Sequence, residues 1–198
     1  MTDFSVVEKN LTAYGYTVKT FATAAEAGAY LNEVIDGASV GIGGSATVKA
    51  SGAYDLLSTH NTVYWHWVQE PDPARASAMT TDIYLCSANA LAETGEIVNM
   101  DGLGNRVSST LFGHKKIIFL IGRNKLVPTY EDAVWRVRNV ASPKRAQQVG
   151  AKTPCAVSGD RCFDCRSPGR VCRGLVTLYG PTFGMEAEVL LIDEDLGL

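Results

Sequence analysis

The stretch KKIIFLIG (residues 115–122) holds two cations, then an unbroken apolar run closed by glycine. A short run without polar alternation fits a strand covered on both faces. That is the habit of parallel sheets, whose crossovers lay helices on each side. DIYLCS (residues 82–87) has the same character, and within it Cys86 reads as a small buried hydrophobe. Working outward, YTVKTFA, SVGIGG and NTVYWHWV read as further strands, and LVTLY and EVLLID as the closing ones. Helix-like segments alternate with them. TAAEAGAYLNEVI carries Ala24, Ala27, Leu31 and Val34 near helical spacing. SATVKASGAYDLL reads as one helix, with Ser45 or Thr47 available to cap it. TYEDAVWRVRNVA has an apolar stripe of Tyr130, Val134, Val137 and Ala141, and Pro143 is expected to end it. The stretch between residues 87 and 113 is rich in Gly and Asn, so turns and short elements are expected there. The alternation predicts an α/β architecture in three layers, a mostly parallel sheet flanked by helices.

The 198 residues fit one domain spanning 1–198, and 46% hydrophobic content is ordinary for a folded soluble chain. A formal net charge of −3 argues against a nucleic-acid binder. No apolar run approaches the length of a membrane span, and the first residues have no signal-peptide pattern, so a cytoplasmic location and no membrane partner are expected.

Two glycine-containing turns follow predicted strands. In VGIGGSAT (residues 40–47), Gly43, Gly44, Ser45 and Thr47 offer close backbone approach and hydroxyls to an anion, or serve as a plain strand-to-helix turn. The spacing is neither G-x-x-x-x-G-K-[ST] nor G-x-G-x-x-G, so nucleotide-loop readings lack support. In NMDGLGNRV (residues 99–107), Asn99, Asp101, Asn105 and Arg106 fall together after a strand, where open α/β sheets place ligands. There Arg106 is expected to fork onto a carboxylate or phosphate. Asn124 and Lys125 follow the next strand in the same way. The histidines His60, His66 and His114 form no metal-ligand pair. His66 reads as a packed strand residue and His114 as a polar turn residue. Glu93, in ALAETGE, reads first as a solvated turn acid, with a base or nucleophile as the alternative.

The remaining signal is TPCAVSGDRCFDCRSPGRVCRG (residues 153–174). Cys155, Cys162, Cys165 and Cys172 have the spacing C-x6-C-x2-C-x6-C, within an irregular insertion at about 150–175, before the last strands. Residues 133–185 hold nine Lys/Arg against two acids, and the last thirteen residues hold five acids and no base. In a reducing compartment, clustered thiols beside Arg161, Arg166, Arg170 and Arg173 favour a metal centre, zinc or iron–sulfur, over structural disulfides. Reactive thiols and ordinary packing are the alternatives.

The long run SANALAETGEIVNMDGLGNRVSSTLFGHKKIIFLIGRNKLVPTYEDAVWRVRNVASP, with VGIGGSAT before it and the cysteine segment after it, resembles the LUD domain, the lactate-utilisation family. The resemblance runs from about Leu11 to the end. It implies a NagB/RpiA/CoA-transferase-like fold and a setting in bacterial oxidation of lactate to pyruvate, alongside iron–sulfur protein subunits. The family pattern falls on Gly43, Gly44, Ser45, Asn89, Asn99, Asp101, Gly104, Asn105, Arg106, Asn124 and Lys125. The glutamate motif of true CoA-transferases, Ser-Glu-Asn-Gly, is absent. The expected ligand is a small anionic metabolite, with self-association left open. The rival readings are a stand-alone superfamily enzyme acting on sugar phosphates or acyl-CoA, and a non-catalytic assembly subunit with a zinc staple.

Overall fold

A computed structural model describes residues 2–198. The apolar runs form a six-stranded sheet in the order β1-β10-β7-β4-β2-β3. Its members are β1 (Thr17–Phe21), β2 (Ser39–Ile42), β3 (Thr62–Trp65), β4 (Ile83–Cys86), β7 (Lys116–Gly122) and β10 (Glu186–Ile192), and every pairing is parallel. The opening stretch lies at its centre. Ile117, Phe119 and Ile121 face one apolar layer, while Ile118 and Leu120 face the other. Each of these side chains contributes about 1.5–3 kcal/mol on burial, so the run needs cover on both faces.

One cover is built from α2 (Ala24–Val34), α3 (Ala46–Ala50) and α4 (Ala53–Leu57), through Ala27, Leu31, Val48 and Leu57. The α2 start is capped by the Thr23 hydroxyl, which accepts from the Glu26 amide at 3.2 Å. The other cover combines α1 (Ser5–Ala13) and α5 (Pro71–Ala78), through Phe4, Val7, Leu11 and Ala78, with a second sheet.

That second sheet departs from the single-sheet expectation. It has the order β8-β5-β6-β9, built from β5 (Ala90–Ala92), β6 (Ile97–Asp101), β8 (Leu126–Val127) and β9 (Gly174–Leu178). The β5–β6 and β6–β9 pairs are antiparallel. Its Leu91, Ile97 and Leu178 pack toward the large sheet. Ala90, Ala92 and Val98 point the other way, against Ala133 and Val137. LVTLY therefore closes this smaller sheet, not the large one.

Two helix boundaries differ from expectation. The segment 45–57 is broken at Gly52, whose φ of +69° is left-handed and separates α3 from α4. An L side chain there costs about 1–2 kcal/mol of strain. Gly52→Ala is therefore expected to lower the unfolding free energy by about 1 kcal/mol, read as a lower urea midpoint with an unchanged slope, since a Cβ meets nothing within 4 Å. Pro143 does not end its helix. From α7 (Tyr130–Arg136) the chain widens into a π turn (Val137–Ala141) and continues as α8 (Ser142–Gln148). The π turn makes room where proline removes an N–H and its ring crowds the preceding carbonyl. After α9 (Pro154–Ser158) the cysteine segment runs to β9 without regular structure. Among the described residues no helix is long and apolar enough to cross a membrane.

Candidate functional site

The connections from β2 and β4 leave in opposite directions across the large sheet, to β3 on one side and toward β7 on the other. Such a divergence opens a crevice at the carboxyl ends of the strands. A cavity of about 440 Å³ lies there. Gly44 and Ser45 follow β2, His66 and Trp67 follow β3, Ser87 and Asn89 follow β4, and Lys125 follows β7. Asp101 and Arg106 come from the end of β6 and from α6 (Asn105–Ser109), which also contributes Asn105. Arg75 and Arg145 complete the wall from α5 and α8.

The sequence-predicted residues thus divide. Gly44, Ser45, Asp101, Asn105, Arg106 and Lys125 line the cavity, whereas Gly43, Thr47, Asn99 and Asn124 stand behind it. Gly43 donates its amide to the Leu85 carbonyl at 3.0 Å. A Cβ on it would lie 3.0 Å from the Tyr84 hydroxyl and 3.1 Å from Arg106 Cγ, so the close approach requires glycine. Ser45 caps α3 by accepting from the Val48 amide at 3.1 Å. Asn124 accepts from the Leu196 amide at 3.0 Å.

Arg106 is bound differently from a ligand fork. Its Nη1 donates to the Ser87 carbonyl at 3.2 Å and to Asn99 Oδ1. Its Nη2 donates to Asn89 Oδ1 at 3.1 Å and to the Met100 carbonyl at 2.7 Å. Nε lies 3.7 Å from Asp101 Oδ2. The four terminal N–H groups therefore all meet protein acceptors. Arg106 lends positive potential to the cavity and joins the end of β4 to β6. Asp101 in turn holds the following turn, accepting from the Leu103 and Gly104 amides at 3.1 Å.

Lys125 is the most unusual group. It is 3% exposed, and its Nζ donates to Thr47 Oγ1 at 2.9 Å and to Ser87 Oγ at 2.8 Å. Among the described residues no carboxylate pairs with it. Burial, reinforced by the Arg136 and Arg106 charges, lowers its amine to about 7. Arg136 is itself buried on the same side, donating to the Asn124 carbonyl at 3.1 Å and to the Asn89 carbonyl. Arg145 also has no carboxylate partner among the described residues, and sits 6.0 Å over the Trp67 ring. Asp101 is the sole carboxylate side chain in a wall that carries Arg75, Arg106, Lys125 and Arg145.

His66 lies beyond the end of β3 and on the cavity wall, not packed within the strand as its sequence context implied. Burial first, then Arg75 and Arg145, push its imidazole below the ordinary value, against the pull of Asp101. His114 is buried rather than a turn residue. It is stacked 4.9 Å from Tyr84 and sits with Nδ1 2.7 Å from the Thr81 carbonyl oxygen. Glu93 is half-buried and does not line the cavity. Arg75, Arg145, Ser87 and Trp67 were not singled out by the sequence. Strands ending at Trp65 and Cys86, shorter than the sequence runs read for them, would have brought Trp67 and Ser87 under the rule that places ligands at strand carboxyl ends, while the two arginines carry no local signal.

The expected zinc or iron–sulfur centre at Cys155, Cys162, Cys165 and Cys172 is not formed. Among the described residues no group of three or more Cys, His, Asp or Glu is placed to hold a metal ion, and all the cysteines are free thiols. The four cysteines share the wall of a second cavity of about 30 Å³, and the sulfurs of Cys155, Cys162 and Cys172 are engaged by protein groups. Arg170 Nε donates to Cys172 Sγ and the Asp164 amide donates to Cys162 Sγ, both at 3.3 Å. The Thr153 hydroxyl lies 3.3 Å from Cys155 Sγ. The six-residue loops between the outer and inner cysteines let each sulfur settle locally, so the paired spacing at Cys162 and Cys165 does not converge into a knuckle.

These features define an α/β protein with a cation-rich cavity at the carboxyl edge of a parallel sheet. The chain belongs to the LUD domain family, whose sequence model matches residues 5–192. No protein in the set of curated sequences matches it. Among solved structures it is similar to a crystal structure of a DUF162 family protein from Deinococcus radiodurans, with 15% identity and a TM-score of 0.55. That alignment covers 97% of this chain and 99% of the other, and at this identity it concerns the fold alone.

Proposed function

We propose that this protein binds a small carboxylate in the cavity between β2, β4 and β7, as a component of lactate or related organic-acid utilisation. Family membership supports the metabolic setting. The observation that carries the ligand reading is the cavity of about 440 Å³ whose Lys125 and Arg145 lack carboxylate partners among the described residues. Cations on a cavity wall without a counter-ion favour an anionic ligand, most strongly where the cation is buried as Lys125 is, and the volume falls within the usual range for metabolite pockets. In this reading Arg145 and Lys125 hold the charge, Ser45 and Asn105 orient the ligand, and iron–sulfur proteins act as partners that exchange electrons with the pathway. The parallel sheet with its cavity at the strand ends supports a NagB/RpiA/CoA-transferase-like ancestry. Transfer of CoA through a glutamate is disfavoured, because Glu93 is outside the cavity wall and the Ser-Glu-Asn-Gly motif is absent.

Isothermal titration calorimetry with L-lactate and pyruvate, against ribose 5-phosphate and inorganic phosphate, tests the reading. The carboxylates are expected to bind, and Arg145→Ala is expected to weaken them about tenfold, the loss of one charge-assisted contact of about 1.4 kcal/mol. Heat from the sugar phosphate alone would overturn it in favour of a stand-alone isomerase-type enzyme.

A further inference from the structure

Three features of the cavity go beyond holding an anion. The Lys125 amine is buried at the end of β7, yet it lines the cavity and faces bare Gly197, where an added methyl would come within 3.4 Å of Nζ. The two hydroxyls that accept from it, on Thr47 and Ser87, come from α3 and from the turn after β4, so the amine is held from both sides. As a neutral amine the nitrogen has two N–H groups, which these contacts use, and a lone pair left free. Nearby, Arg145 and Arg75 lie on the same wall, on different helices, and His66 and Asp101 stand among them. A desolvated lysine beside other cations is the arrangement that keeps an amine neutral and nucleophilic near neutrality. An amine of this kind needs a carbonyl carbon, and Arg145, unlike Arg75, which pairs with Asp72 at 2.7 Å, still needs a carboxylate. A 2-oxo acid carries both groups within the reach of one small cavity.

From this geometry we infer that Lys125 forms a reversible imine with a small 2-oxo acid bound in the cavity. The inference rests on the carboxylate-binding reading above and adds a covalent step to it. The Nζ lone pair forms a bond to the carbonyl carbon, and the carbonyl π pair moves to oxygen, which takes up a proton as the nitrogen gives one up. Ser87 Oγ, 2.8 Å from Nζ, is placed to relay that proton. The carbinolamine then loses its hydroxyl as water with one further proton, and the nitrogen lone pair closes the C=N bond. One water leaves for each imine formed and nothing is oxidised or reduced. Hydrolysis reverses the step.

The test is to incubate the full chain with pyruvate at neutral pH, reduce with sodium cyanoborohydride, and map the modified peptide by mass spectrometry. The expected result is one carboxyethyl group per chain, on Lys125. L-lactate, which has the carboxylate but no carbonyl, should bind in calorimetry and compete away the adduct without being trapped. Lys125→Arg keeps the charge and should abolish the adduct. If that variant does not fold, the site of modification in the natural chain still decides the matter. Adducts confined to exposed lysines such as Lys115 would overturn the imine. So would pyruvate binding in calorimetry without a trapped adduct, and that outcome would leave the carboxylate reading standing. Absence of both binding and adduct would remove the two together.

Discussion

Replacing Arg106 with Met is expected to lower stability by about 3–5 kcal/mol, the cost typical of removing one partner from a buried charged network. The size follows from what the guanidinium holds. Its side chain is 12% exposed and Asp101 is 11% exposed, so water cannot readily replace it. Removing it takes a donor from the Ser87 and Met100 carbonyls and from the Asn99 and Asn89 side-chain oxygens, which keep the Asn89 and Met100 amides, and leaves Asp101 with backbone amides but no cation. Each unsatisfied buried acceptor costs about 1–3 kcal/mol, softened where the turn after β4 relaxes. Arg106→Lys should recover part of the loss, because an ammonium reaches one or two acceptors but not the fork. Urea unfolding followed by fluorescence reads both variants. A loss below about 1 kcal/mol for Arg106→Met, of the size seen for exposed charges, would return Arg106 to the role of a free ligand clamp.

That network shows why residues sharing one cavity wall were easier to read from the sequence than the contacts each of them makes. KKIIFLIG and DIYLCS announced doubly covered strands, because a parallel sheet leaves no polar face to be read. Once those strands were placed, the turns after them fell at one edge, and Gly44, Ser45, Asp101, Asn105, Arg106 and Lys125 came to one cavity. What Arg106 touches depends on how the small sheet lies on the large one, and no local pattern encodes that docking. The small sheet itself was hidden because β5 and β8 span only Ala90–Ala92 and Leu126–Val127, too short for a period to show. Arg75 and Arg145 reach the cavity from helices distant in sequence, so only the tertiary fold reveals them. The cysteine spacing misled for the converse reason. A regular count of thiols looked like a centre, while the irregular chain between them follows local hydrogen bonds to Arg170, Asp164 and Thr153.

Lys125→Met is expected to remove a pH dependence of stability on the order of 5 kcal/mol. The natural amine is lowered from 10.5 to about 7 in the folded chain, and each unit is worth about 1.4 kcal/mol. A depressed lysine works in a definite direction. The unfolded chain holds its proton up to 10.5 while the folded chain releases it near 7, so between those values the unfolded state binds more protons and stability rises with pH. Below about 7 both states are protonated, and the folded protein bears the full burden of a buried, unpaired charge. Above 10.5 neither state is protonated and the burden is gone. The difference in stability between the natural protein and Lys125→Met should therefore shift in favour of the natural protein as pH rises from 7 to 10. Exposed lysines and tyrosines titrate alike in both proteins and cancel. Chemical denaturation across that range checks the slope. A difference that stays flat would mean that Lys125 keeps its proton throughout, and Thr47 and Ser87 would then be holding an ammonium rather than an amine. The burden also sets Lys125 apart from a residue that packing alone requires. A methionine there would be easier to fold around at neutral pH, and what it would lack is a nitrogen that changes protonation inside a cavity of cations, the one property of this position that packing alone does not require.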